Sequence, residues 1–344
     1  MDDQMPMDTM DHGMTGPMWM PSDPPTLSGL LAWQPQPYAI LPILCAVLAA
    51  FYAIGLVRLR RRGIRWPLGR TVSWYVGVAM VLWVTATGIE AYGMAVFSVH
   101  MFQHMILTML APVFLLMGAP VTLVLRALPA GRGRRGAPRR GLVRFLHSPV
   151  AKAASHPAFT LSAFVFSLYG IYLTPLFDIL MSSVWGHYLM LLHFLLTGIV
   201  FFGPVLMVDP WPGNRSHLLR MMLMMAGLPF HAFFAIAVMM SESPIVGFFA
   251  SPPPAWDIDV MDDQLWAGGL TWVFGDVPTL VVMIVLAVLW MRSDARLARR
   301  SDRKAERDGD AELNAYNAYL QRLADHEAVA ARSGRTVQGP FRTR

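Results

Sequence analysis

The sequence predicts an all-α integral membrane bundle, and three observations predict it. First, 55% of the 344 residues are hydrophobic, 15% are charged and the mean hydropathy is +0.44, more apolar material than a soluble domain buries. Second, apolar runs close to the ~20 residues that cross about 30 Å of hydrocarbon recur at roughly 38–57, 71–91, 99–125, 157–176, 184–207, 218–241 and 266–291. Third, all 28 Lys and Arg residues fall in alternate connections: Arg58 to Arg70, Arg126 to Lys152, Arg215 with Arg220, and the stretch after the last run. The other connections, 89–98, 174–184 and 242–265, carry no base but hold Glu90, Asp178, Glu242, Asp257, Asp259, Asp262 and Asp263. Positive charge near span ends is retained in the cytoplasm, so the pattern predicts seven transmembrane helices with the N-terminus outside and the C-terminus cytoplasmic. The net charge of +6 is then a topology signal answered by anionic membrane lipid, and no nucleic acid partner is expected.

Residues 1–37 read as an exposed extracytoplasmic Met-rich tail. They are acidic and proline-rich, and no basic stretch precedes an apolar one as a signal peptide requires. Seven of the 25 methionines lie in the first 20 residues, where there is no core to fill. Thioether sulfur is a soft donor that favours Cu(I), and a flexible chain with Met-x-Met or Met-x-x-Met spacing can wrap a linear or trigonal ion. Met5, Met7, Met10, His12, Met14, Met18 and Met20 are therefore candidate capture ligands; a low-complexity linker is the competing reading. The single Cys45 falls in the first span and rules out disulfides and paired-thiolate sites, leaving metal chemistry to His, Met and carboxylate.

The transmembrane domain is expected over 38–291. Its third connection, RALPAGRGRRGAPRRG, reads as a mobile cytoplasmic loop that sets topology. Residues 292–344 form a charged cytoplasmic tail in which Leu313, Tyr316, Leu320 and Leu323 recur at helical spacing, the mark of a short amphipathic helix.

Polar residues inside the spans carry the functional signal. His100 and His104 are four apart in SVHMFQHMILTMLAPVFLLMGAP, which stacks both imidazoles on one helix face, and ionisable groups inside spans are functional suspects. At about 1.5 Å per residue, His100 and His187 lie near the outer ends of the third and fifth spans, His104 and His193 one to two turns deeper, and His231 in the outer half of the sixth. His187 and His193 are six residues apart, about 120° around the axis, so they cannot both face one ion. A lone membrane histidine more often hydrogen-bonds across a helix seam than ligates a metal; the spacing of the His100/His104 pair favours the metal. Asp276 sits near the midplane close to Pro278, where a carboxylate needs a partner or a proton: it balances a cation, relays protons, or hydrogen-bonds to Thr271 or Thr279. Asp262, Asp263, Gln264 and Glu90 offer oxygen at the outer mouth, as helix caps and surface groups or as hydrogen-bond and proton partners behind the histidines.

The segment around His100 and His104 resembles the signature stretch of the CtaG family of multi-spanning cytochrome c oxidase assembly factors, associated with caa-type oxidases. The likeness continues through WGHYLMLLHFLLTGIVFFGPVLMVDPWP, GLPFHAFFAIAVMMSESPI and DDQLWAGGLTWVFGDVPTL to RKAERDGDAELNAYNAYLQRL, covering about residues 30–325 in the family's order. It implies His100, His104, His187, His193, His231, Asp263 and Gln264 as the functional set, a bacterial plasma-membrane location, and a role in copper supply to cytochrome c oxidase subunits. The expected protein is a metallochaperone and no enzyme: Cu(I) is its cargo and no haem is expected. A copper permease and a metal-free biogenesis scaffold are the alternatives.

Overall fold

The computed structural model describes residues 20–131, 133–213 and 216–332. Among them the chain is all-helical, with no strand and only an isolated antiparallel bridge between Trp33 and Thr87. In chain order the principal helices are α1 (Ile40–Arg61), α2 (Leu68–Ala86), α3 (Phe97–Ala127), α4 (Pro157–Gly170), α5 (Val184–Leu206), α6 (His217–Met240), α7 (Val260–Asp308) and α8 (Ala311–Arg332). Six of them, α1, α2, α3, α5, α6 and α7, are long and apolar enough to cross a membrane. The run expected at 157–176 gives the shorter α4, because Pro175 cannot continue a helix and biases Thr174 out of the α region. The Thr174 hydroxyl instead donates to the Gly170 carbonyl at 2.6 Å.

The bundle is organised around α3. Its course changes in the middle: Phe97–Met105 is α-helical, Ile106–Leu110 forms a π turn, and the α-helix resumes at Ala111. The cause is Pro112, whose ring would collide with the Thr108 carbonyl in a regular helix and which lacks the N–H to bond it; widening the turn by one residue relieves the clash. The neighbouring α5 presents Gly198 at this point, where a Cβ would stand 2.2 Å from the Thr108 oxygen. Lower down, Ala119 adopts φ 51° and Pro120 restarts the helix.

Both starting points on α3 are capped from remote parts of the chain. Asp263, in the first turn of α7, accepts from the backbone N–H of Phe97 at 2.7 Å and of Ser98 at 3.1 Å. Asp209, just beyond α5, accepts from Val121 N–H at 3.2 Å, and from the N–H and hydroxyl of Thr122 at 2.7 and 2.6 Å. Each carboxylate satisfies amides that a helix start leaves unpaired and faces the positive end of the dipole. The buried Arg220 of α6 does the converse, donating to the carbonyls of Val205 and Leu206 where α5 ends.

Side chains such as Phe51 on α1, Phe233 on α6, and Val273 and Val277 on α7 are exposed and apolar, the arrangement of a protein whose outer solvent is lipid. Residues 20–36 lie against the turn after α2: Gln34 N–H donates to the Ala86 carbonyl, and Gly88 N–H to that of Ala32. Met20 packs there on a small cluster of Tyr92, Ala95, Val96 and Trp256. The connection expected to be a mobile loop instead contains helices Ala137–Leu146 and Pro149–Ala154, the second capped by the Ser148 hydroxyl. Pro138 stands in the first turn of the first of them, where its missing N–H costs no helical bond.

Two compact units divide the described residues after Leu286. Every spanning histidine belongs to the first. In the second, α8 presents Leu313, Tyr316, Leu320 and Leu323, all exposed.

Candidate metal centre

His100 and His104 are wholly buried in α3, and both reach the same atom. The Tyr172 hydroxyl, just beyond α4, lies 2.9 Å from His100 Nε2 and 2.7 Å from His104 Nδ1. The His104 ring stacks on Phe194 of α5, with centroids 3.8 Å apart, while the Tyr172 ring, nearly parallel to it at 5.4 Å, meets its edge through the hydroxyl. Phe177 and Phe249 close around His100. The remaining nitrogens, His100 Nδ1 and His104 Nε2, are buried without a partner.

This geometry fixes the chemistry of the pair. A phenol has one proton, so Tyr172 donates to one neutral imidazole and accepts from the other. The first ring then carries its remaining proton on its free nitrogen, and the second leaves a lone pair on its own. Two open lone pairs arise when Tyr172 accepts from both rings and turns its proton elsewhere, so the two tautomers are set jointly by one hydroxyl.

A second polar knot lies one turn away. Glu90, expected to cap a helix or face solvent, is buried; its Oε2 accepts from the Gln103 amide at 2.5 Å, and that amide also donates to the Val84 carbonyl at 2.7 Å. Glu90 Oε1 stands 3.4 Å from Nε2 of the buried His187, an electrostatic contact without hydrogen-bond geometry. His193 points elsewhere, with Nε2 3.4 Å from the Thr197 hydroxyl on its own helix, as the six-residue spacing requires. His231 of α6 is buried with neither ring nitrogen partnered.

The outer-mouth residues are structural in this arrangement. Asp263 caps α3, while Gln264 accepts from Ile245 N–H at 2.8 Å and donates to the Ser243 carbonyl at 3.2 Å, pinning the connection after α6. Asp276 bonds neither threonine: Thr271 donates back to Ala267 and Thr279 to Gly275. That leaves Asp276 Oδ1 buried without a partner. Met5, Met7, Met10, His12, Met14 and Met18 lie outside the described residues, and Met20 is half-buried beside the residues that precede α3.

Among the described residues no group of three or more His, Cys, Asp or Glu side chains is placed to hold one ion. The five histidines divide into a tyrosine-linked pair, a glutamate partner and two single rings. Sequence reasoning missed Tyr172, which reads as one more aromatic in an apolar run, and Gln103, whose place one residue before His104 was the available signal. A cavity of about 190 Å³ between residues 172–178 and 245–247 has both Tyr172 and Asp178 in its wall.

The α3 signature with its paired histidines, carried on this helical bundle, has counterparts elsewhere. Residues 50–293 match the model of the cytochrome c oxidase caa3 assembly factor family (Caa3_CtaG). The chain belongs to this family. Relatives of this assembly-factor chain include uncharacterised proteins of Mycobacterium bovis and Mycobacterium tuberculosis, each 41% identical over 305 residues, which is 88% of this chain and 46% of theirs. A Mycobacterium leprae protein is 43% identical over 281 residues, 81% of this chain and 43% of its own. The chain thus spans less than half the length of these curated relatives. No solved structure matches it.

Proposed function

We propose that the chain serves cytochrome c oxidase assembly as a non-enzymatic copper chaperone working on the extracytoplasmic side of the bacterial plasma membrane. In this reading α4 completes a seven-helix bundle over 38–291, the N-terminus lies outside, and the charged residues 292–344 lie in the cytoplasm. The tail methionines collect Cu(I), the His100/His104 pair receives it, and docking to an oxidase subunit releases it by ligand exchange. The carrying observation is the pair itself: two buried imidazoles, tied to one phenol, each with an unpartnered nitrogen. The cavity beside Tyr172 supports the reading by giving a cation a route past Asp178. A neutral imidazole is also a common copper ligand.

The test is a competition titration of the full chain with Cu(I) against a chromophoric Cu(I) chelator. His100→Ala/His104→Ala should lose one bound equivalent; binding equal to wild type removes the pair from the model. A metal-free scaffold is the second reading, favoured by the lack of a three-ligand cluster among the described residues and by the hydrogen bonds that already use one nitrogen of each ring. Oxidase activity that survives the double substitution supports it. A permease gains from the unpartnered Asp276 carboxylate, and Cu(I) flux into proteoliposomes separates it from a binder.

A further inference from the structure

The most anomalous side chain in the bundle is His231. It is 2% exposed, and neither ring nitrogen has a hydrogen-bond partner, although leaving a buried polar atom unpaired is costly. Room for the ring is made by α7, where Gly275 faces it so closely that a Cβ would stand 1.8 Å from Nδ1. The imidazole borders a narrow interstice whose wall contains Met109 of α3 and Met224 of α6, both wholly buried, with Gly275 and Thr279 of α7, and is otherwise apolar, made by Phe164, Phe201, Gly227 and Leu228. That space is too tight to seat a water molecule, so solvent is not the missing partner of the imidazole. A bare metal ion is smaller than water and needs donors more than space.

The candidate donors in that wall are all uncharged. Two thioethers and one imidazole make a soft, uncharged set that selects Cu(I) over harder ions and over the divalent metals that carboxylates attract. The backbone is irregular on two of the contributing helices. Met109 lies in the π turn of α3, a device that concentrates at functional sites. Pro229 lies two residues before His231 in α6 and frees the Met225 carbonyl from its helical bond.

We propose that Met109, Met224 and His231 form a second Cu(I) site inside the bundle, separate from the His100/His104 pair. It rests on the reading that copper is the cargo, and adds a holding position lined by thioethers. The ion enters as Cu(I) and leaves as Cu(I), with no change of oxidation state.

The test titrates the full chain anaerobically with Cu(I) against the same chelator. Met109→Leu/Met224→Leu, a volume-conserving change, should lose one equivalent, and His231→Leu the same one, while the equivalent removed by His100→Ala/His104→Ala persists in both. Undiminished binding in the methionine double variant overturns the proposal and leaves the outer pair standing. A wild-type chain that binds no Cu(I) overturns both. A measurement without core substitutions uses a full chain whose tail methionines are replaced by leucine: X-ray absorption of its bound copper should show sulfur neighbours, and a shell of nitrogen and oxygen alone overturns the assignment.

Discussion

His104 and His231 are the same side chain, both buried and both beside a phenylalanine, and they differ in what their nitrogens meet. His104 stacks on Phe194 and has one nitrogen on the Tyr172 hydroxyl. His231 lies near Phe164, with a glycine on one side, two thioethers nearby and no hydrogen-bond partner at all. The first ring contributes to stability by being held; the second is tolerated at a cost. A histidine whose hydrogen bonds are partly met has a structural reason to be there, whereas one that has none points to something that binds it.

The comparison breaks most completely where the two regions share a support. The π turn of α3 begins two residues after His104 and contains Met109, and Gly198 of α5 is packed on it. Gly198→Val should destabilise the protein by the upper end of the ~1–3 kcal/mol that overpacking costs, seen as a lowered melting temperature in detergent and a loss of Cu(I) at both positions. Wild-type melting would show that the close approach to Thr108 is not required. The next effect tests the His104 ring. Tyr172→Phe keeps the aromatic surface but orphans a nitrogen on His100 and on His104, so it should cost about 2 kcal/mol; a change near zero would mean that the hydroxyl holds neither ring. The smallest effect tests the orphaned one. His231→Leu removes an unsatisfied polar group, and the metal-free protein should be within about 0.5 kcal/mol of wild type or more stable. A loss as large as that of Tyr172→Phe would erase the distinction between the two histidines.

Much of this architecture is legible in the sequence, because hydropathy reports which stretches avoid water. Six spans appear where the apolar runs stand, and the four-residue spacing of His100 and His104 places them on one face before any partner is known. Hydropathy carries no azimuth, however, and the partners depend on helix rotation. Glu90 looks like a surface cap until Gln103 and His187 are brought beside it. Tyr172 resembles any aromatic in a span, and Met109 and Met224 are lost among 25 methionines. The tail drew attention because its methionines had no core to fill; the pair in the bundle is hidden by having one. The early end of α4 is written in Thr174-Pro175, a local signal that an apolar run of the right length outweighed.

The aspartate that caps the first turn of α3 has a consequence for how the molecule is made. Asp263 follows Phe97 by 166 residues, which at a synthesis rate of 5–20 residues per second is on the order of ten seconds of ribosome time. Until α7 emerges, the amides of Phe97 and Ser98 lack their carboxylate, and the helix bearing His100 and His104 starts without its cap. The first turn of α3 is thus completed late although it is translated early, and a chain cut before α7 leaves those amides uncapped.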